Sequence, residues 1–472
     1  MSPLVQLGVT VLFLQTSPAP QMSLREAEII AEENHPELRA LRQERAIANE
    51  NIKVKFRDFF PSVSLSYRQS RTVAQREFDN GSQSIQLNIS QPIYDGGRTS
   101  LAHEVAKLDA SISTEKYKKA RNDLKLRVRT AFFALQQQKG QMDLARLSIK
   151  STDLLYKRAV IERRQDAIAL IDFREIENEH KRRQFALEKQ EAAYRSSIAD
   201  FAHTLHLPPG SEPALVAIDL TRTVIRDSNR LPDELKVLAE ENSPELRQAR
   251  LDVYRSRKEY LITSHDYLPS VSLTGHYGRT GEEWPPRSLD WGVGINVTIP
   301  LQGSTLRTDA QYNSTKADTQ RGLSEGGEFD FYNNPGYRAA GMRNELQLFR
   351  ARANREDLRR NIDLRIDKFA RETRERNNEL SLLAEKVSIS ELRNTVEYRK
   401  YISGQTALHD YLEEEIKLQQ ARADLLEKRV ESILAVGQFE ADIGLELDYL
   451  GLIDLPENNP APAPGQSAGI TP

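Results

Sequence analysis

The chain has 472 residues, with 66 Lys and Arg against 69 Asp and Glu, and a formal charge of −3. That balance leaves no global basic field to attract nucleic acid, and the absence of cysteine excludes disulfides, thiolate nucleophiles, cysteine zinc sites and a lipid-modified N-terminal cysteine. Hydrophobic residues make up 39% and charged residues 29%, the mean hydropathy is −0.59, and no apolar run approaches the length of a transmembrane helix, so the first impression is of a polar, soluble chain of about three domains.

In chain order, residues 4–14 form the longest apolar run, followed by Ser17, Pro18, Ala19 and Pro20. The length fits the core of a signal peptide occupying residues 1–20, although no Lys or Arg precedes it; a buried N-terminal strand is the alternative. Residues 24–57 then read as a helix. Two short segments of period two follow. Val63, Leu65 and Tyr67 alternate with Ser62, Ser64 and Ser66, and Ile85, Leu87 and Ile89 alternate with Ser84, Gln86 and Asn88. No proline occurs between Pro92 and Pro208, and apolar residues recur at steps of three and four, as in Leu124, Val128, Ala131 and Leu135. This predicts a long helix over Arg98–Arg164, about 100 Å at 1.5 Å per residue, and a shorter one over 170–206. A linker at 208–230, containing Pro208-Pro209-Gly210, comes next.

The plan then repeats. Asn34-His35-Pro36-Glu37-Leu38 returns as Asn242-Ser243-Pro244-Glu245-Leu246, and Pro61-Ser62-Val63-Ser64-Leu65 as Pro269-Ser270-Val271-Ser272-Leu273, both 208 residues later. A second pair of alternating segments carries Val271 and Leu273, then Trp291, Val293, Ile295, Val297 and Ile299. Ala169-Leu170-Ile171-Asp172-Phe173 matches Ala407-Leu408-His409-Asp410-Tyr411 at the larger offset of 238, so the second half holds about 30 extra residues. The Gly- and Asn-containing stretch 322–341 is their natural place, within a long helical segment 306–404, and a last helix covers 407–445. Without the insertion, the two shorter helices of each half match the long one in length. The expected organisation is a first repeat at 21–207, the linker, a second repeat at 231–455 with an insertion around 318–342, and a disordered tail rich in proline and alanine at 456–472.

The four alternating segments have small neutral polar faces and lengths that suit tilted transmembrane β-strands. The apolar residues Val63, Leu65, Ile85, Leu87, Val271, Leu273, Val293, Ile295 and Val297 are the candidates to face lipid. A small sheet packed on helices predicts one buried face as well. Four strands cannot close a barrel alone, and a lipid-embedded sheet must close, so a spanning version is an oligomer. No catalytic cluster emerges. His203 and His206 have helical metal spacing, but a solvated helix end explains them better, and Gly96-Gly97 lacks the Gly-Lys-Ser/Thr of a phosphate loop. No cofactor and no metal site is expected.

The duplicated Asn-x-Pro-Glu-Leu helix, the Pro-Ser-Val-Ser-Leu segments, and Gln91-Pro92-Ile93-Tyr94-Asp95-Gly96-Gly97-Arg98 with its looser copy Ile299-Pro300-Leu301-Gln302-Gly303-Ser304 resemble the TolC-like outer-membrane efflux proteins over essentially the whole mature chain. The resemblance implies a mainly α fold: a homotrimer with an α-helical barrel of coiled-coil hairpins in the periplasm, and four antiparallel strands per chain completing a twelve-stranded barrel in outer-membrane lipid. It implies a channel that works with a periplasmic membrane-fusion adaptor and an inner-membrane pump of the resistance-nodulation-division, ABC or a similar class, exporting drugs, metals or proteins, with no nucleic-acid partner and no enzymatic step. Residue by residue, Asp410 and Glu413 match two acids that ring the periplasmic entrance, with Glu413 where the best-known pattern has Asp. Asp172 and Tyr401 match a lock between the hairpin tips. Thr406 stands where a second lock uses arginine. Ala169, Leu170, Gly404, Ala407 and Leu408 match tips that contact the adaptor. The rival reading is a soluble coiled-coil scaffold with a small docking sheet; an enzyme with long helical arms is a weaker third.

Overall fold

The computed structural model describes residues 21–72, 80–208, 210–216, 218, 220, 224–225, 232–315, 320–406 and 408–454. The expected signal peptide, the C-terminal tail and much of the 208–230 linker lie outside the described residues. The elements are α1 (Leu24–Asn34), α2 (Pro36–Arg57), β1 (Ser62–Thr72), β2 (Asn80–Tyr94), α3 (Arg98–Arg164), α4 (Leu170–Thr204), β3 (Val224–Ile225), α5 (Pro232–Asn242), α6 (Pro244–Ser264), β4 (Ser270–Gly281), β5 (Ser288–Leu301), β6 (Ser304–Thr315), β7 (Gln320–Asp330), α7 (Tyr337–Ile402), α8 (Leu408–Asp442) and β8 (Ile453–Asp454). No described helix is long and apolar enough to cross a membrane.

The 67-residue α3 has the predicted bounds. The helix predicted over 24–57 is broken in two, and so is its counterpart after the linker, which forms α5 and α6. Proline disfavours helical backbone in the residue before it; accordingly His35 (φ −68°, ψ 120°) and Ser243 (φ −60°, ψ 117°) are extended. Each break is bridged by an arginine Nε donating back to a carbonyl six residues earlier, Arg39 to Glu33 at 2.9 Å and Arg247 to Glu241 at 2.6 Å. The chain enters α1 through a capping box, in which the Ser23 hydroxyl accepts from the Glu26 N–H and the Glu26 carboxylate accepts from the Ser23 N–H.

The 306–404 segment needs a larger correction. It is not one interrupted helix. The extra residues form a β-hairpin, β6–β7, and α7 starts only at Tyr337 and runs 66 residues, nearly the length of α3. Asn334 N–H donates to Gly303 O at 3.0 Å, so the hairpin leaves and rejoins the chain at almost one point. The sheet accordingly has six strands, not the expected four, in the order β1-β2-β4-β5-β6-β7, every neighbouring pair antiparallel.

The described chain forms two compact units. One takes residues 40–120 and 237–364 and holds the sheet. Its helical segments are joined by ion pairs between solvated faces, among them Arg255–Asp109 at 2.8 Å, Lys258–Glu104 at 2.6 Å and Arg359–Glu240 at 2.7 Å. Each such exposed pair contributes little by itself.

The other unit takes residues 21–39, 121–236 and 365–454. Its core contains Leu124, Val128, Phe132, Phe133, Phe201, Ile366 and Ile443, all essentially without solvent contact. Part of the linker straps this unit: Met22 bridges Leu215, and Gln136 Nε2 donates to Val216 O at 2.7 Å. Beside the core sits a charge network that is buried at Arg129 and Glu440, largely buried at Glu28 and open to solvent at Asp448. The Arg129 guanidinium donates to Glu28 at 3.0 Å and to both carboxylate oxygens of Asp448, at 2.8 and 2.5 Å. Glu440, fully buried, accepts the backbone N–H groups of Asp448 and Leu450 at 2.7 and 2.9 Å. This ties the segment after α8 to α3. Removing Arg129 leaves the largely buried Glu28 with only the more distant Lys125, 3.9 Å away, and a loss of about 2 kcal/mol is expected for the charged hydrogen bonds. Arg129→Ala should therefore lower the midpoint of thermal unfolding by several degrees, whereas Arg127→Ala, which removes only an exposed 3.5 Å pair with Glu37, should leave it within about a degree. Equal effects of the two substitutions would contradict this account.

Candidate functional site

The predicted site residues cluster at the turns α3–α4 and α7–α8, both within one unit. The turns close with the same bonds, 238 residues apart. Ala167 N–H donates to Glu162 O at 2.8 Å and Asp166 N–H to Arg163 O at 3.2 Å; Gln405 N–H donates to Lys400 O at 2.9 Å and Gly404 N–H to Tyr401 O at 3.1 Å. This is the Schellman closure of a helix, which needs a left-handed residue after the last turn. Gly404 (φ +72°) fills that place without strain at α7–α8, and Asp166 (φ +51°) fills it at α3–α4. Ala169 caps α4 without a side-chain bond, and Leu170 and Ile171 beside it are 56% and 67% exposed. Ala407 and the side chain of Leu408 lie outside the described residues.

Asp172, Tyr401 and Glu413 meet around one cleft of about 520 Å³. No hydrogen bond joins Tyr401 to Asp172 among the described residues. Tyr401 is held otherwise: its ring stacks on Tyr411 at 5.9 Å and lies under the Arg158 guanidinium at 5.7 Å, while Tyr398 tilts against Tyr411 at 5.4 Å. Asp410 and Glu413 line a second groove with Glu397, Lys400 and Arg393. Asp410 is exposed. Glu413 pairs with Lys417 at 2.8 Å, so its charge is partly offset.

Two groups at the tip were not found from the sequence. Tyr411 is 5% exposed, and burial pushes its phenol up to about 12. Glu415, in what reads as a solvated acid run, is 3% exposed and accepts a bond from the Ser151 hydroxyl. The overlooked signal is helical spacing, because Tyr411, Glu415 and Leu418 follow one another at steps of four and three and all are buried.

All nine residues expected to face lipid share one face of the sheet. The register runs Val63–Ile89–Gly275–Val293–Tyr312–Leu323 across all six strands, with Leu65, Leu87 and Tyr277 in the next row on the same side. Val63, Leu65, Val293 and Ile295 are 48–73% exposed. The opposite face is polar and internally bonded. There Asp290 accepts from Gln86 Nε2 at 2.8 Å and from the Thr315 hydroxyl at 2.9 Å, and His276 Nε2 stands 3.5 Å away. His206 stacks on His35 at 4.7 Å, and no group of three potential metal ligands occurs among the described residues.

Residues 30–199 match the family model described as Outer membrane efflux protein. The chain is similar to the outer-membrane efflux proteins. Solved structures extend the likeness to nine-tenths of its length at the level of fold. The Campylobacter jejuni CmeC outer membrane channel matches with a TM-score of 0.71 at 12% identity, over 90% of this chain and 86% of that one. The Vibrio cholerae outer membrane protein VceC matches with 0.70 at 11% identity, over 89% and 96%. The open state of the Neisseria gonorrhoeae MtrE outer membrane channel matches with 0.69 at 15% identity, over 90% and 89%. No curated protein matches the sequence.

Burial pushes the Glu415 carboxyl above the usual range, against the opposing effects of the Ser151 hydroxyl and Arg183. The folded chain then binds this proton more tightly than the unfolded chain. Its contribution to stability is greatest below the ordinary carboxylate range, near pH 4.3, and declines as pH rises through the raised value. Glu415→Gln should remove that decline. The thermal midpoint of the variant should exceed that of the native protein at pH 7.5 and converge with it near pH 4; a constant difference across the range would refute the assignment.

Proposed function

We propose that the chain is one subunit of a homotrimeric outer-membrane exit duct for efflux or secretion, with no chemistry of its own. The observation that carries this reading is the sheet: on one face the exposed apolar residues Val63, Ile89, Val293, Tyr312 and Leu323 stand in a single row across it, and the other face is a bonded polar surface. A lipid-embedded barrel wall requires that arrangement. The helices support an assembly. Leu147, Leu154 and Ile161 of α3, spaced by sevens, are 53%, 70% and 56% exposed, and Leu382, Ile389, Leu392 and Val396 repeat the pattern on α7. Stripes of this period are covered by other helices.

In this reading the sheet lies in the outer membrane after removal of a leader peptide, and the helices form the periplasmic conduit. The tips around Leu170, Gly404 and Leu408 dock a membrane-fusion adaptor that links the duct to an inner-membrane pump, which supplies the energy. Tyr401 and Asp172 stand at the gate. Without a direct bond between them, closure rests chiefly on the stacking of Tyr401 with Tyr411 and Arg158. Threefold symmetry would gather three copies of Asp410 and Glu413 around the periplasmic mouth, where like charges attract cations.

Purified protein should reconstitute into planar bilayers as a cation-selective pore. Because Lys417 offsets Glu413, Asp410→Asn should lower the cation-to-anion permeability ratio more than Glu413→Gln does. Tyr411→Ala should raise single-channel conductance more than Asp172→Ala or Tyr401→Phe. A monomeric protein that fractionates with soluble proteins and forms no pore would sink the reading in favour of a scaffold.

A further inference from the structure

The two outer strands of the sheet carry information that the duct reading does not use. β1 and β7 are its open edges. In lipid, each unpaired backbone N–H and C=O along an edge lacks a partner, so both edges must be covered. We infer that β7 of one copy pairs antiparallel with β1 of the next, so that the inserted hairpin β6–β7 forms the seam between subunits. This inference rests on the outer-membrane reading above, and it assigns the hairpin to the barrel wall.

Four features of the two strands fit them to one another. Both are eleven residues long. Six antiparallel strands leave the first and last running in opposite directions, so the pair is antiparallel without any change of course. Their faces agree: Val63 of β1 and Leu323 of β7 stand in one row of the register on the apolar side, and Ser64 and Gly322 stand in the next row on the polar side. A one-residue slip would reverse one strand relative to the other, so only offsets that match apolar to apolar are allowed. Their charges are complementary as well. β1 carries Arg68 and Arg71 and no acid, while β7 carries Glu325, Glu328 and Asp330 with one arginine, Arg321; within the hairpin Arg307 of β6 already pairs with Glu328 at 3.7 Å and Asp330 at 3.2 Å, so the three acids of β7 stand against two arginines before the neighbouring β1 is added. Residues 62–71 and 321–329 are exposed throughout in the single chain.

The consequence is a different barrel from the one expected of four strands per chain. Three copies of the six-stranded sheet close with eighteen strands, and barrel diameter grows roughly in proportion to strand number. The hairpin therefore widens the pore by about half relative to twelve strands.

The chain has no cysteine, so introduced pairs report without background. Leu323→Cys should be combined in turn with Leu65→Cys, Tyr67→Cys and Gln69→Cys, and the membrane-embedded protein oxidised. At least one pair should give covalent dimers and trimers on non-reducing gels, and Leu323→Cys with Ser66→Cys, on opposite faces, should not. If Ile295→Cys on β5 cross-links between subunits to the same β1 positions instead, the seam excludes the hairpin and the inference fails while the channel reading stands. A soluble monomer overturns both. An electron cryo-microscopy reconstruction of the native protein in lipid nanodiscs decides the point without any variant: eighteen strands with β7 beside a neighbouring β1 are expected, and a twelve-stranded wall with the hairpin outside it overturns the inference.

Discussion

The structure depends on one constraint: the chain carries more ordered apolar surface than it can bury by itself. Its helices carry apolar residues of which only some are buried, as around Phe132, Phe201 and Ile366. The rest remains outside, at two different periods. On α3 and α7 the exposed residues recur at steps of three, four and seven, the spacing that a neighbouring helix covers with its own side chains. On the sheet they alternate at a step of two, and Val63, Ile89, Val293, Tyr312 and Leu323 share one exposed row across it. Helical spacing calls for protein, whereas a flat apolar face backed by a bonded polar one is what lipid on one side and water on the other would select. The low mean hydropathy of −0.59 is compatible with both, because only alternate residues of short strands need be apolar while the helices keep a charged remainder.

The tip shows how the same backbone solution supports different chemistry. Both turns close through one pattern of carbonyl bonds, so their geometry follows from two helices meeting at a left-handed residue. The side chains then diverge. At α7–α8 the buried ring of Tyr411, with Leu412 and Leu155 beside it and the half-buried ring of Tyr401 stacked on it, fixes the inner face of the turn. At α3–α4 the apolar residues Leu170 and Ile171 point into solvent instead. One tip is organised inward around aromatic rings, and the other presents an apolar surface.

Much of this was legible in the sequence, for identifiable reasons. α3 could be bounded to the residue because Gly97 and the loss of helical periodicity after Arg164 flank a proline-free tract. The strand faces were legible because Val, Leu and Ile alternate with Ser, Asn and Gln. The breaks at His35 and Ser243 are encoded by Pro36 and Pro244, which disfavour helical backbone in the residue before them, while the helix-forming residues on both sides hide the interruption. The hairpin was missed for a physical reason. On its apolar face Leu306 and Tyr312 are separated by Thr308 and Ala310, and Leu323 and Phe329 by Glu325 and Gly327. The period-two signal is therefore diluted, and the glycines read as a loop within a helix. Glu415 was illegible as a buried group because its neighbours Glu413 and Glu414 make an acid run, and only its spacing from Tyr411 and Leu418 places it inside. The missing Tyr401–Asp172 bond depends on how two turns meet, which no local pattern encodes.

The position of the hairpin is itself constrained. An insertion within α7 would have put that helix out of length with α3, and the two differ by only one residue, 66 against 67. An insertion between the strands of an existing pair would have broken a ladder. Between β5 and α7 neither occurs, because the chain departs at Gly303 and is tied back at Asn334. Parity then fixes the form. A single added strand would end at the far edge of the sheet and would need a long return to reach the start of α7, leaving the outer strands running in the same direction. Two added strands return the chain to its point of departure and keep the outer strands opposed. A sheet joined to fixed helices on one side can therefore grow at its edge by hairpins, and the even count of six follows from the helices as much as from the strands.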